Sequence, residues 1–259
     1  MEDEDTVLTV WDPTIDEQWD LPQLDIGEQL AWYATVLCGA TTSVSCNHLD
    51  CHDKPFKVIS LGLGIEPEHM SSLHIYSSEV GSWSDPTLVP ECDVDATSPA
   101  LVGNTLHFST DDGSRILSYD METRETYVIH LPLKLGECST ALMEMENGEL
   151  GVARLDEAAK LTLWSSELNP NRDLEWAQIK VIELEKVLPV NGRSIYSNYI
   201  AFAHGAGIFF VGTDDGIFSF DLKSGQAKKV FNDPCVGYGV NIVVPYVSFC
   251  TPGTTLLGS

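Results

Sequence analysis

Two stretches of this chain are written in one frame. Residues 110–120 read TDDGSRILSYD and residues 213–221 read TDDGIFSFD. Both run Thr-Asp-Asp-Gly, then Ile, one residue, Ser, an aromatic and Asp. A unit that recurs at domain scale points to a repeat architecture, in which each copy buries its apolar face against its neighbours. Asp-Gly tolerates positive φ, so Asp112-Gly113 and Asp215-Gly216 read as hairpin turns between short apolar strands.

The same strand, turn, strand rhythm runs through the whole chain. Leu8 to Trp11 and Gln18 to Leu21 read as a strand pair around Asp12-Pro13. Leu30 to Gly39 fits strand or helix by periodicity, and its Trp, Tyr, Thr and Val favour a strand. Phe56 to Leu63, Leu73 to Tyr76 and Trp83 continue the pattern. Ala100 to Val102 and Leu106 to Phe108 flank Gly103-Asn104, and Ile116 to Tyr119 and Tyr127 to Leu131 complete four strands. Thr140 to Glu144, Leu150 to Arg154, Leu161 to Trp164 and Gln178 to Leu184 give another set, with Asn147-Gly148 as a turn and a polar loop from Asn169 to Glu175. Tyr199 to Ala203, Ile208 to Gly212, Ile217 to Phe220 and Ala227 to Phe231 give the next.

One signature marks these units. An apolar strand ends in an aromatic followed by Asp or Ser: Trp11-Asp12, Tyr76-Ser77, Tyr119-Asp120, Trp164-Ser165 and Phe220-Asp221. The clearer steps match the length of a four-stranded propeller blade. The expectation is an all-β chain: a β-propeller of about five to six four-stranded, kelch-like blades, incomplete at its N-terminus. The propeller would span residues 1–252, its partial first blade completed by a C-terminal strand over 243–249, with 253–259 as a short flexible tail. The aromatics Trp11, Trp83, Trp164 and Trp176 are expected to pack within or between blades.

Charge narrows the partners. With 39 acidic against 14 basic side chains the formal charge is -25, which disfavours nucleic acid and anionic membranes and favours solubility. A monomer in cytosol or nucleus is expected, since the N-terminus shows no secretory pattern and the 7 cysteines are odd in number and scattered. No apolar run reaches the roughly 20 residues of a membrane span.

Reactive constellations are sparse. Cys46, His48, Cys51 and His52 lie within one seven-residue run and carry zinc-type ligands. Four ligands so close strain a tetrahedron, and an inter-strand loop is the preferred reading. The pairs Asp111-Asp112 and Asp214-Asp215 resemble glycosidase carboxylates only in composition, because each sits directly before a turn Gly. There is no Gly-x-Ser-x-Gly elbow and no EF-hand loop, and the turn around His204 lacks the Lys and context of a phosphate loop. No catalytic residue, cofactor or metal is assigned.

Several segments together resemble a known family. HIYSSEVGSWSDP (74–86), LVGNTLHF (101–108), ILSYDMETRETYVIHLP (116–132), LGVARLDEAAKLTLWS (150–165), WAQIKVIEL (176–184), FFVGTDDGIFSFDLKSG (209–225) and VVPYVSFCTP (243–252) are similar to the F-box-associated β-propeller of plant F-box proteins, above all the grass-type set. VWDPTIDEQWDLP (10–22) resembles that family's early strand pair. The resemblance implies a domain that presents loops to a substrate protein of an SCF ubiquitin ligase. The family's F-box, which binds the Skp1 adaptor, has no counterpart in these residues, so Skp1 is expected as a partner only where an F-box lies upstream. The expected function is therefore a non-catalytic protein-interaction module. The alternatives are a propeller enzyme acting on a carbohydrate or small molecule, and a degenerate, truncated paralogue without a dedicated function.

Overall fold

A computed structural model describes residues 7–13, 15–24, 29–39, 55–64, 71–90, 94, 99–110, 113–131, 140–168, 174–203, 206–232 and 255–256. The chain divides into two compact units, Met1–Glu91 with Tyr246–Ser259, and Cys92–Pro245. The Cys46–His52 run, Asp111-Asp112, His204 and the expected closing strand at 243–249 lie outside the described residues.

In the first unit, β1 (Thr9–Asp12) and β2 (Glu17–Asp20) form an antiparallel hairpin. The ambiguous stretch resolves as a strand, β3 (Gln29–Cys38), which pairs with β4 (Phe56–Gly64). β5 (Ser72–Ser77) follows, and its outer edge is taken by two short pieces, β6 (Ser82–Trp83) and β7 (Thr87–Leu88). The hairpin lays Val10, Leu21 and Trp19 on Phe56, Val58 and Tyr76 of this sheet. A chain of tilted aromatic contacts, Trp19 to Phe56 to Tyr76 to Trp83, runs through that seam at centroid spacings of 5.8, 6.1 and 5.5 Å. Trp83 Nε1 donates to Pro22 O at 2.8 Å, so the indole's polar edge is satisfied where its ring packs.

Trp11 departs from expectation. It is 54% exposed, while Val10 and Asp12 on either side are buried. Strand alternation decides this: the hairpin register pairs Val10 with Trp19 on the inner face and Trp11 with Gln18 on the outer. Trp11 Nε1 donates instead to Asp16 Oδ1 at 3.1 Å.

The second unit is three successive antiparallel meanders. The first is β8 (Ala100–Val102), β9 (Thr105–Ser109), β10 (Arg115–Asp120) and β11 (Thr126–His130). The second is β12 (Thr140–Glu144), β13 (Leu150–Leu155), β14 (Lys160–Leu168) and β15 (Leu174–Glu183). The third is β16 (Ile195–Ala203), β17 (Ile208–Thr213), β18 (Gly216–Asp221) and β19 (Ala227–Phe231). Each sheet is ordered as its strands run in sequence, and the leading strand β12 touches both β8 and β16. That is the arrangement of propeller blades. The protein is all-β, an incomplete propeller of four-stranded blades.

β14 and β15 are longer than the sequence indicated. Their pairing runs out to Leu168 opposite Leu174, so Leu174 and Glu175 belong to the strand rather than to the polar loop. Cross-strand pairing outweighs local polarity there.

Blade faces pack on one another. Ala100 and Ile116 meet Leu142, Leu150 and Val152, with Trp164 and Trp176 alongside. The other face of the middle blade places Ala153, Leu155, Leu161 and Leu163 against Phe202, Phe209, Val211, Phe218 and Phe220. Both faces of the middle blade are thus buried, whereas in the next blade Phe209 and Val211 are buried in this seam and Ile208 and Phe210, on the opposite face, are half-buried. Each fully buried side chain contributes about 1.5–3 kcal/mol by leaving water.

At the chain's end, Thr255–Leu256 forms a two-residue strand, β20, antiparallel to Tyr33 and Ala34 of β3. These two residues fall in the stretch 253–259 that the sequence suggests is a short flexible tail. Backbone pairing along the open edge of β3 gives them a place in the sheet.

Candidate functional site

The Cys46–His52 run lies outside the described residues, and of the two acidic turns the later one is described in full. Asp214 and Asp215 are exposed at the β17–β18 turn, joined by Gly216 at φ +125°. The side chain that builds this turn is Thr213, which is fully buried. Its Oγ1 donates to Gly216 O at 2.7 Å and accepts from Asp215 N at 3.2 Å. Asp214 N donates to Ser194 O at 2.9 Å, and the Tyr196 hydroxyl donates to Asp214 Oδ1. In the earlier copy Thr110, also buried, donates through Oγ1 to Arg115 O at 3.0 Å and accepts from Arg115 N at 3.1 Å. The repeated Thr therefore fastens both turns from inside, and Asp214 and Asp215 face solvent.

The acid after the aromatic also has a structural task. Asp120 Oδ1 accepts from Glu122 N at 2.8 Å and Thr123 N at 3.0 Å. Asp221 Oδ1 accepts from Lys223 N at 2.9 Å and Ser224 N at 2.7 Å. These backbone donors, Thr123 first for Asp120 and Ser224 first for Asp221, hold both carboxyls below the usual aspartate range. Ser77 and Ser165 depart from the pattern. Ser77 uses its carbonyl, which accepts from Gly81 N at 2.7 Å, while Ser165 lies inside β14 and donates to Ser166 O at 3.3 Å.

One nucleophile-and-base pair was not visible in the sequence. His107 Nδ1 lies 2.8 Å from Ser118 Oγ. The two residues are separated by eleven positions and become cross-strand partners on β9 and β10. A Ser and an imidazole at that distance have the geometry of an activated hydroxyl. Burial decides against that role: Ser118 is 0% and His107 5% exposed. They share the face of Ala100 and Ile116, which packs on the middle blade. Desolvation lowers the His107 pKa to about 4, so the ring is neutral around pH 7. His74 is also buried, with Nε2 3.1 Å from Ser72 Oγ, and burial lowers its pKa too. Among the described residues no group of three or more His, Cys, Asp or Glu side chains is placed to hold a metal ion.

The outer strands of the second unit's blades also expose apolar side chains. Ile179 and Val181 on β15, Val230 and Phe231 on β19 and Tyr127 on β11 are large apolar side chains in water. Two of them have a local cause. The β14–β15 register steps from Leu163 opposite Lys180 to Trp164 opposite Gln178, leaving Ile179 as the extra residue of a bulge. The β18–β19 register steps likewise past Val230. No periodicity in the sequence signals either bulge.

No protein-family model matches the chain, and no curated protein matches it. Among solved structures it is similar to the extracellular domain of a hybrid two-component system of B. thetaiotaomicron, at 14% identity and a TM-score of 0.39, over 79% of this chain and 30% of that one. It is also similar to YjhT, at 10% identity and a TM-score of 0.46, over 84% of this chain and 74% of that one. A third likeness, to the extracellular domain of a one-component system of B. thetaiotaomicron, covers 78% of this chain and 28% of that one at 14% identity and a TM-score of 0.38. The chain thus spans less than a third of the length of the two B. thetaiotaomicron proteins.

Proposed function

We propose that this chain is a non-catalytic propeller that binds another protein, in the manner expected of the substrate-recognition domain of SCF-type F-box proteins. The observation that carries the reading is burial: His107 with Ser118 and His74 with Ser72, the imidazole–hydroxyl pairs among the described residues, are both buried, the first inside a blade-to-blade seam. The exposed acids at Asp214 and Asp215 belong to a turn fastened by Thr213. The family resemblance of the strand segments supplies the recognition role. In that family the F-box and not the propeller contacts Skp1, so residues 1–259 are proposed to engage a substrate protein without binding Skp1. The reading includes a reducing compartment, cytosol or nucleus, which the odd number and scatter of the cysteines favour.

The test is proximity labelling from a fused labelling enzyme in cells, paired with direct binding of purified chain to purified Skp1. A reproducible, saturable protein partner and no Skp1 binding are expected. Stoichiometric Skp1 binding to residues 1–259 overturns the proposed independence from Skp1. Hydrolysis of an ester or glycoside that disappears in Ser118→Ala overturns the non-catalytic reading.

A further inference from the structure

The blades differ in how their outer edges are guarded. An outer strand offers a row of open backbone donors and acceptors, and proteins blunt such rows with bulges, Pro, Lys or interruptions. In the first unit the outer strand is broken into β6 and β7, with Asp85 and Pro86 between the pieces. β15 is bulged at Ile179 and carries Lys180. β19 is bulged at Val230 and carries Lys228 and Lys229. β11 has none of these devices. Its sequence is TYVIH, its register on β10 is continuous from Thr126 to His130, and Tyr127 is 45% exposed.

The direction of its backbone groups follows from the bonds at its two ends. Asp120 N donates to Glu125 O at 3.0 Å, and Leu131 N donates to Ser114 O at 2.8 Å. Backbone direction alternates along an antiparallel strand. The odd-numbered residues 125 to 131 therefore face β10, and the N–H and C=O groups of Thr126, Val128 and His130 face outward. Three residues with both groups outward are enough to hold an added strand of about five residues at the strand spacing of roughly 3.4 Å per residue.

We propose that β11 is a docking edge for an extended, basic segment of another protein, which joins the blade as a fifth strand. The proposal rests on the interaction reading above and names its surface. Charge selects the occupant. A second copy of a chain carrying -25 is repelled, whereas a cationic segment is attracted. The turn leading into β11 adds a local bias, with Asp120, Glu122 and Glu125 set against Arg124 alone. Glu122 and Glu125 are exposed, beside the end of the open ladder. Main-chain bonds would supply affinity, and pockets for alternate side chains the specificity, as in other strand additions.

The probe is an array of seven-residue peptides with alternating Val and Thr in the middle and Lys or Arg at the ends, matched by a set ending in Glu. Binding to the full chain is read by hydrogen exchange. Cationic peptides are expected to protect the amides of Thr126, Val128 and His130, with at least tenfold weaker binding of the Glu-ended set. Val128→Pro removes one outward N–H while leaving the β10 ladder intact, and is expected to weaken binding at least tenfold. The wild-type exchange pattern decides the question even if that variant folds poorly. The proposal is overturned if no cationic member protects these amides, if Glu-ended peptides bind equally, if folded Val128→Pro binds unchanged, or if the amides become protected by raising the chain's own concentration. A cellular partner that holds folded Val128→Pro as well as wild type sinks the docking edge and leaves the interaction reading standing.

Discussion

His107 and Ser118 face each other across β9 and β10, with Nδ1 to Oγ at 2.8 Å, inside a seam between two blades. The imidazole is kept neutral by desolvation, with its pKa at about 4 against an ordinary 6.5. The unfolded chain therefore binds more protons than the folded one between these values, and stability falls as pH drops from about 6.5 to about 4. A shift of this size corresponds to about 3 kcal/mol. Denaturant unfolding at a series of pH values should show this slope, and His107→Gln should flatten it. An unchanged slope in that variant would mean that other groups carry the acid sensitivity. The loss tied to Asp120 and Asp221 lies lower, as pH falls from the ordinary aspartate range through their depressed values.

Thr213 should matter more than the acids beside it. Thr213→Val leaves the Gly216 carbonyl and the Asp215 amide without their hydroxyl partner, at a cost of about 1–3 kcal/mol. Asp215→Asn changes an exposed charge and should stay within about 0.5 kcal/mol. Chemical denaturation of both variants tests the order, and a larger loss in Asp215→Asn would reverse the reading of the repeat.

Two turn glycines differ in what a methyl group would meet. At Gly103, φ is +58° and an added Cβ has open space, so Ala should cost about 1–2 kcal/mol from backbone strain alone. At Gly216, φ is +125° and the Cβ would fall 2.1 Å from Phe231 O, so β19 must move. Gly216→Ala should cost clearly more than Gly103→Ala. Thermal melts of the two variants measure the difference.

Exposure separates the aromatics. Phe209 is 0% exposed and tilts against Phe202 at a centroid distance of 4.7 Å. Phe209→Ala should cost about 3–5 kcal/mol. Trp11→Ala, on the outer face of its hairpin, should stay within about 1 kcal/mol, because it gives up one exposed hydrogen bond and little burial. A cooperative melt on each variant gives the comparison.

The strand, turn, strand unit is legible in the residues alone, because that unit is local. Gly103, Gly148 and Gly216 adopt positive φ where the turn dipeptides stood, and Asp120 and Asp221 accept the backbone donors their positions offered. From the spacing of those units followed the four-stranded blade. Tertiary structure alone decided what each side chain faces. Trp11 turned outward because Val10 and Trp19 took the inner face of the hairpin. His107 met Ser118 only through the β9–β10 register, and the bulges at Ile179 and Val230 exist only as mismatches between paired strands. The open ladder of β11 is of the same kind. Its residues read as an ordinary apolar strand, and its being an edge follows from sheet order, a property of strands packed together and not of any one segment.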